Sequence, residues 1–217
     1  MTLSVIASRS SGEAISDRGI TVTASNLRIC VYCASSRSCD RSYHDAARRL
    51  GMLIARRSWS IVYGGGGDGS MGALADGALA AGGRVTGVIP HFMKELEWAH
   101  GGLTELRVVD DMRTRKEMML SGSDAVVALP GGSGTLEELF EAMTLKRLGI
   151  YLKPIVIVNT GGFFNPLLEQ LGRCVSERFM DAQHAGMWKA VANVDDVIPA
   201  ITAAPEWSSD ARSFARV

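Results

Sequence analysis

The chain has 217 residues, with 23 Lys plus Arg against 23 Asp plus Glu, so its formal net charge is zero. That balance gives no support to bulk electrostatic binding of nucleic acid or of an anionic membrane surface. The 47% of hydrophobic residues fits one large globular domain, and no apolar run is long enough to span a bilayer.

Residues 1–26 are rich in Ser, Thr and Gly and read as a disordered tail. They lack a basic region followed by a long apolar stretch, so no secretory leader is expected and a cytoplasmic location is. A strand is predicted at 28–33, RICVYC. Its Cys30 and Cys33 form C-x-x-C, but no second pair follows at zinc-ribbon spacing. With Cys39 and Cys174 they are expected as buried or free thiols, and the lack of a disulfide framework fits a reducing compartment.

A helical pattern at 40–57 leads to a strand at 60–63, SIVY. Directly after it comes YGGGGDGSMG, Tyr63 to Gly72, with G-x-G-x-x-G at Gly67, Gly69 and Gly72. A dinucleotide fold would place Asp or Glu at the end of the next strand to hold a ribose. The next strand, 84–89, instead runs into Pro90 and His91, which disfavours NAD or FAD. Tight packing without ligand contact is the plain alternative for these glycines. A helix at 69–82, a strand at 105–109 and a helix at 111–121, carrying MRTRKEMM, come next.

The strand 124–129, DAVVAL, opens into LPGGSGTLEELFEA, Leu129 to Ala142, and a helix over 135–149. Glycines let a backbone approach a ligand, and a helix N-terminus adds partial positive charge, so this is a site for an anion, above all phosphate. Neither glycine loop ends in the Gly-Lys-Ser/Thr of a P-loop. Thr135-x-x-Glu138 also reads as a capping box, with Glu137 and Glu141 favouring the positive end of the helix. A strand at 154–158 and a helix at 163–179 follow, and 204–217 reads as a flexible C-terminal tail. Alternation of near-continuous apolar strands with helices predicts a Rossmann-like, doubly wound, mostly parallel α/β sheet with helices on both faces, in a single domain over 27–203. Ligands in such folds bind at the carboxyl ends of the strands. His44, His91, His100 and His184 have no metal-ligand spacing and read as surface or loop residues, and the tryptophans are too scattered for a nucleic-acid stacking platform.

PGGSGTLEE, Pro130 to Glu138, matches the PGGxGTxxE motif of the LONELY GUY family of cytokinin riboside 5'-monophosphate phosphoribohydrolases. MRTRKEMM resembles that family's Arg-Lys signature, YGGGGDGSMG its first glycine loop and VYCASS its first strand and turn. The similarity spans roughly residues 27–200, with Ser70 and Ala34 departing from the usual pattern. The resemblance implies at least a homodimer that cleaves the N-glycosidic bond of an adenine-type nucleoside 5'-monophosphate, and with no metal-ligand cluster visible in the sequence no metal or cofactor is expected. It implies that Gly131, Gly132, Ser133, Gly134 and Thr135 hold the phosphate, that Glu138 faces the ribose and water, and that Arg115 supplies a fixed charge. It further implies substrate contacts for Lys116, Glu137, Glu97 near the base, Met119, Thr144, Gly65 and Gly66. Read without the family, Arg115 and Lys116 could form a solvated helix face. The competing functions are a general AMP nucleosidase, a non-catalytic nucleotide carrier, and the lysine decarboxylase that relatives are often labelled as.

Overall fold

A computed structural model describes residues 26–96 and 98–215. All but the last residue of the expected N-terminal tail, and Glu97, lie outside the described residues. Seven strands form one parallel sheet: β1 (Arg28–Tyr32), β2 (Ser60–Tyr63), β3 (Arg84–Pro90), β4 (Glu105–Val109), β5 (Ala125–Ala128), β6 (Ile155–Val158) and β7 (Lys189–Val191). Their order is β4-β3-β2-β1-β5-β6-β7, with every pairing parallel. The chain walks outward from β1 to β4, then returns to lay β5 on the other side of β1. The carboxyl ends of β1 and β5 therefore flank the switch point where open α/β sheets bind ligands.

The helices are α1 (Arg41–Arg56), α2 (Gly69–Ala80), α3 (His91–Glu95), α4 (Met112–Leu120), α5 (Ser133–Arg147), α6 (Asn165–Ser176) and α7 (Val197–Thr202). β5 and β6 are buried at every position, because helices cover both faces of the sheet. Alternate residues of β1 consequently enter different cores: Ile29 and Val31 join one apolar cluster, Cys30 and Tyr32 the other. Cys30 and Cys33 fall into opposite clusters, so the C-x-x-C spacing does not bring the thiols together as a ligand pair. All four cysteines are free.

Helix ends divide into two kinds. Asp40 caps α1 by accepting from Ser42 N, and Asp111 caps α4 by accepting from Thr114 N. α2 and α5 start at Asp68 and Gly132 with no side-chain cap. The expected capping box is thus corrected: α5 begins at Ser133, Thr135 lies within its first turn rather than before it, and Glu138 does not bond back to the helix start.

Three elements have no counterpart in the sequence reading: α3, β7 and α7. β7 is only three residues and α3 five, too short for a periodic signal. Residues 204–215 also differ from the flexible tail expected there. Trp207 Nε1 donates to Lys146 O at 2.9 Å, Arg147 Nη2 donates to Ala215 O at 2.6 Å, and Arg212 Nε donates to Leu148 O at 2.9 Å. Phe214 packs edge-on to Trp207 and against His184. His184 is fully buried rather than on the surface, and burial lowers its pKa. The aromatic side chains supply apolar area that a composition dominated by small polar residues conceals.

α1 and α2 pack closely because Gly51 and Gly77 face the opposing backbone. A Cβ at Gly77 would stand 2.1 Å from Arg48 O, and one at Gly51 would stand 2.2 Å from Leu74 O. Helix propensity alone favours Gly→Ala by about 1 kcal/mol. Overpacking costs about 1–3 kcal/mol. Gly77→Ala is therefore expected to lower the midpoint of urea unfolding, whereas a raised midpoint would mean that the helices part without cost.

Candidate active site

A cleft of about 470 Å³ opens at the carboxyl ends of β1, β2, β3 and β5. That volume suits a small-molecule ligand. On one side lie Gly132, Ser133, Gly134 and Thr135 at the start of α5. A Cβ on Gly132 or Gly134 would meet nothing within 4 Å, so this backbone is open to an approaching group. Gly131 does a different job: a Cβ there would fall 2.2 Å from Thr135 Oγ1. It lets the strand end close onto the first turn of α5 and does not itself line the cleft.

Beneath the loop sits a buried ion pair. Arg115 on α4 and Glu138 on α5 are each 7% exposed. Arg115 Nη1 donates to Glu138 Oε1 at 3.1 Å, Nε to Val88 O at 3.1 Å and Nη2 to Gly64 O at 3.3 Å. The guanidinium thus ties α4 to α5, to β3 and to the end of β2. This excludes a solvated helix face for Arg115 and shows why Gly64 carries no side chain, since a Cβ would lie 2.0 Å from Nη2. Burial raises the pKa of Glu138 to about 7, against the lowering influence of Arg115. A carboxyl held near neutrality can exchange protons at working pH.

The first glycine loop closes the other wall. Gly65 has φ +79°, and its Cα lies so near Gly87 that a Cβ on the latter would come within 2.7 Å. Gly67 N donates to Trp98 O and His100 N to Gly65 O, both at 2.9 Å, so the segment after α3 is stitched to the loop. Packing and ligand approach are both served here: Gly65 packs, while Gly64 and Gly66 line the cleft. The apolar part of the lining comes from Met71, Ile89, Met93, Trp98 and Met112.

Of the residues anticipated from sequence, the fold brings Gly66, Arg115, Gly132, Ser133, Gly134, Thr135 and Glu138 to the cleft. Lys116 and Glu137 pair with each other, and Lys116 Nζ lies 3.2 Å from Glu141 Oε2, on the groove between α4 and α5 rather than in the cleft. One residue along a helix turns a side chain by about 100°, so Arg115 and Lys116 face different cavities. Met119 is buried in the core, and Thr144 is exposed further along α5. Cys33, Ala34, Ser35, Ser36, Gly64, Asp68 and the apolar lining were not anticipated as site residues. The stretches VYCASS, YGGGGDGSMG and MRTRKEMM pointed toward part of this set, Met112 included, but no local pattern marks Ile89 or Met93. The thiol of Cys33 is pushed up by burial, which leaves it a poor nucleophile. Among the described residues no group of three His, Cys, Asp or Glu could hold a metal ion, and no helix is long and apolar enough to cross a membrane.

The raised pKa of Glu138 makes a stability prediction. Its protonated form is the favoured one in the folded chain, so its contribution is complete below the usual carboxyl range near pH 4.5 and is lost as pH rises through about 7. Glu138→Gln lacks this loss. The melting temperature of the Gln variant relative to wild type should therefore be higher at pH 8 than at pH 5. A difference that does not change with pH would mean that Glu138 ionises in the folded chain as it does in water.

A family model described as possible lysine decarboxylase matches residues 71–201. Among the described residues no lysine lines the cleft, however, and buried Lys146 donates to Lys153 O beside Trp207, away from it. The chain is 43% identical over 153 residues to a cytokinin riboside 5'-monophosphate phosphoribohydrolase of Arabidopsis thaliana, covering 70% of this chain and 71% of the other. It is equally similar to that enzyme of Rhodococcoides fascians, with 70% and 77% covered. A probable enzyme of the same name from Oryza sativa subsp. japonica is 40% identical over 169 residues, covering 78% of this chain and 68% of the other. Among solved structures, the molybdenum cofactor carrier protein of Chlamydomonas reinhardtii aligns with a TM-score of 0.65 at 24% identity, over 82% of this chain and 96% of that one. The molybdenum cofactor binding protein of Rippkaea orientalis aligns at 0.63 and 22%, with the same coverage. Those two likenesses establish the Rossmann-like fold. Extended identity to three named enzymes, together with the paired motifs brought to one cleft, establishes the family: the chain belongs to the LONELY GUY family of cytokinin riboside 5'-monophosphate phosphoribohydrolases.

Proposed function

We propose that this protein hydrolyses the N-glycosidic bond of N6-substituted adenosine 5'-monophosphates, releasing free cytokinin base and ribose 5-phosphate. The observation that carries this reading is a buried carboxylate, Glu138, held by Arg115 directly beneath an open phosphate-binding helix start. A carrier of phosphorylated ligands would gain nothing from a negative charge at that point.

The 5'-phosphate rests on the backbone N–H groups of Gly132 to Thr135 at the positive end of α5. The C1'–N9 bond breaks as the base leaves with its electron pair, and the ribosyl group becomes oxocarbenium-like. Glu138, ionised, lies near the sugar and stabilises that cation. It then takes a proton from the water that adds to C1', and that proton passes to the departing base, which leaves neutral and restores the carboxylate. Arg115, with all three nitrogens engaged, acts by fixing the carboxylate rather than by grasping phosphate. The apolar lining by Met71, Met93, Trp98 and Met112 suits an N6-prenyl substituent better than the bare amine of AMP, which is the support for cytokinin over general nucleotide salvage. Phe92, Leu96 and Trp98 lie 47%, 56% and 51% exposed on and just after α3. Apolar area of this kind supports a homodimer whose second copy covers it. A cytoplasmic setting accords with four free thiols.

Incubation with isopentenyladenosine monophosphate, AMP and the matching nucleosides should release base from the monophosphates and hardly any from the nucleosides, because binding energy from the phosphate positions the sugar. Equal rates on nucleosides would remove the role given to residues 132–135.

The ionised form of Glu138 is the active one, so kcat/KM should fall as pH drops through about 7 and level off above it. Arg115→Ala removes the group that opposes the rise in its pKa, and should move this break to higher pH while cutting turnover by about 10²–10⁴. Arg115→Lys should rescue poorly, since a point charge cannot reach three acceptors at once. A pH profile unchanged in Arg115→Ala would uncouple the pair.

A further inference from the structure

Two helices aim their N-termini at the cleft, α2 through Asp68 and α5 through Gly132. Both ends carry partial positive charge, so on helix dipoles alone a nucleotide could lie in either direction. Only one direction puts the glycosidic bond beside Glu138. The two ends differ in one side chain: α5 starts on a glycine with open space, α2 on a carboxylate.

Asp68 does not spend its carboxylate on capping its own helix. Its one side-chain partner among the described residues is Arg37, with Nη2 at 2.6 Å from Oδ1, which leaves Oδ2 without a donor. The backbone around it is fixed. Gly69 follows with φ +58°, so close to the first loop that a Cβ would stand 2.4 Å from Ser36 O, and Met71 N donates to Ala34 O at 3.0 Å. An aspartate on a fixed backbone in a nucleotide cleft, with an acceptor oxygen to spare, repels phosphate and attracts hydroxyl donors.

We propose that Asp68 is a substrate-positioning residue that accepts a hydrogen bond from a ribose hydroxyl and keeps the phosphate off the α2 end. This rests on the proposed hydrolysis of nucleoside monophosphates and assigns the sugar's contact within it. Arg37, reaching from the loop after β1, pairs with the carboxylate from the solvent side, with 77% of its own side chain exposed.

The test is a matrix of wild type, Asp68→Asn and Asp68→Ala against isopentenyladenosine 5'-monophosphate and its 2'-deoxy and 3'-deoxy forms, read as kcat/KM and as calorimetric affinity. A hydrogen bond to a charged group predicts that Asp68→Ala loses about 10–100-fold on the ribonucleotide. On the analogue lacking the contacted hydroxyl the loss should shrink to a small factor, since the two deletions remove the same interaction. Asp68→Asn, which keeps an acceptor but not the charge, should fall between. Equal losses on all three substrates, or no loss on any, overturn the assignment. Affinity reads the same coupling where no base is released, so absent turnover in wild type counts against the hydrolysis alone, while absent coupling counts against Asp68.

Discussion

The structure turns on one buried ion pair. Arg115 and Glu138 are both withdrawn from water, and such a pair is tolerated only when geometry and further hydrogen bonds repay the desolvation. Here the guanidinium meets Glu138, Val88 O and Gly64 O at once. These partners come from α5, β3 and the end of β2, so a single side chain sets the spacing of the elements that wall the cleft. Even so, burial outweighs the cation and leaves Glu138 with a pKa of about 7. The carboxylate is thereby positioned and also kept close to proton exchange.

Several other features follow from accommodating that pair. Gly64 has no side chain because the guanidinium fills the space. Gly131 has none because Thr135 folds back against it, which brings the first turn of α5 up to the end of β5. Gly132 and Gly134 face open space, so the same motif contains glycines of two kinds, one serving packing and the other leaving room for a ligand. The missing cap on α5 belongs to the same arrangement: a side chain satisfying those N–H groups would fill the open space beside Gly132 and Gly134.

The sheet explains why these groups meet at all. Strands β1 and β5 are adjacent in space but separated by three other strands in sequence, and the loops that leave their carboxyl ends diverge to either side. The cleft forms in that divergence. On the far side of α4, Lys116 meets Glu137 and Glu141, an ion cluster that joins α4 to α5 from the opposite flank. The helix bearing Arg115 is therefore held by charges on two faces.

Much of this was legible in the amino-acid order. Near-continuous apolar runs identified the strands, and Gly132 to Glu138, with Arg115, were marked out by glycines at a helix start and by the Arg-Lys signature. Local pattern could not tell Arg115 from Lys116, because which of two neighbouring cations is buried depends on how α4 rolls against β3 and α5. The same holds for Thr135 and Glu138, whose spacing also spells a capping box; only the true helix start at Ser133 decides between the two. Ile89, Met93, Trp98 and Met112 converge from β3, α3, the loop after α3 and α4, and Asp68 reaches the cleft because Gly69 presses against Ser36. The sequence by itself determined the periodicities, the glycine positions and the carboxylate. Tertiary structure decided which of these face one another, since burial and contact depend on distances between residues far apart in the chain.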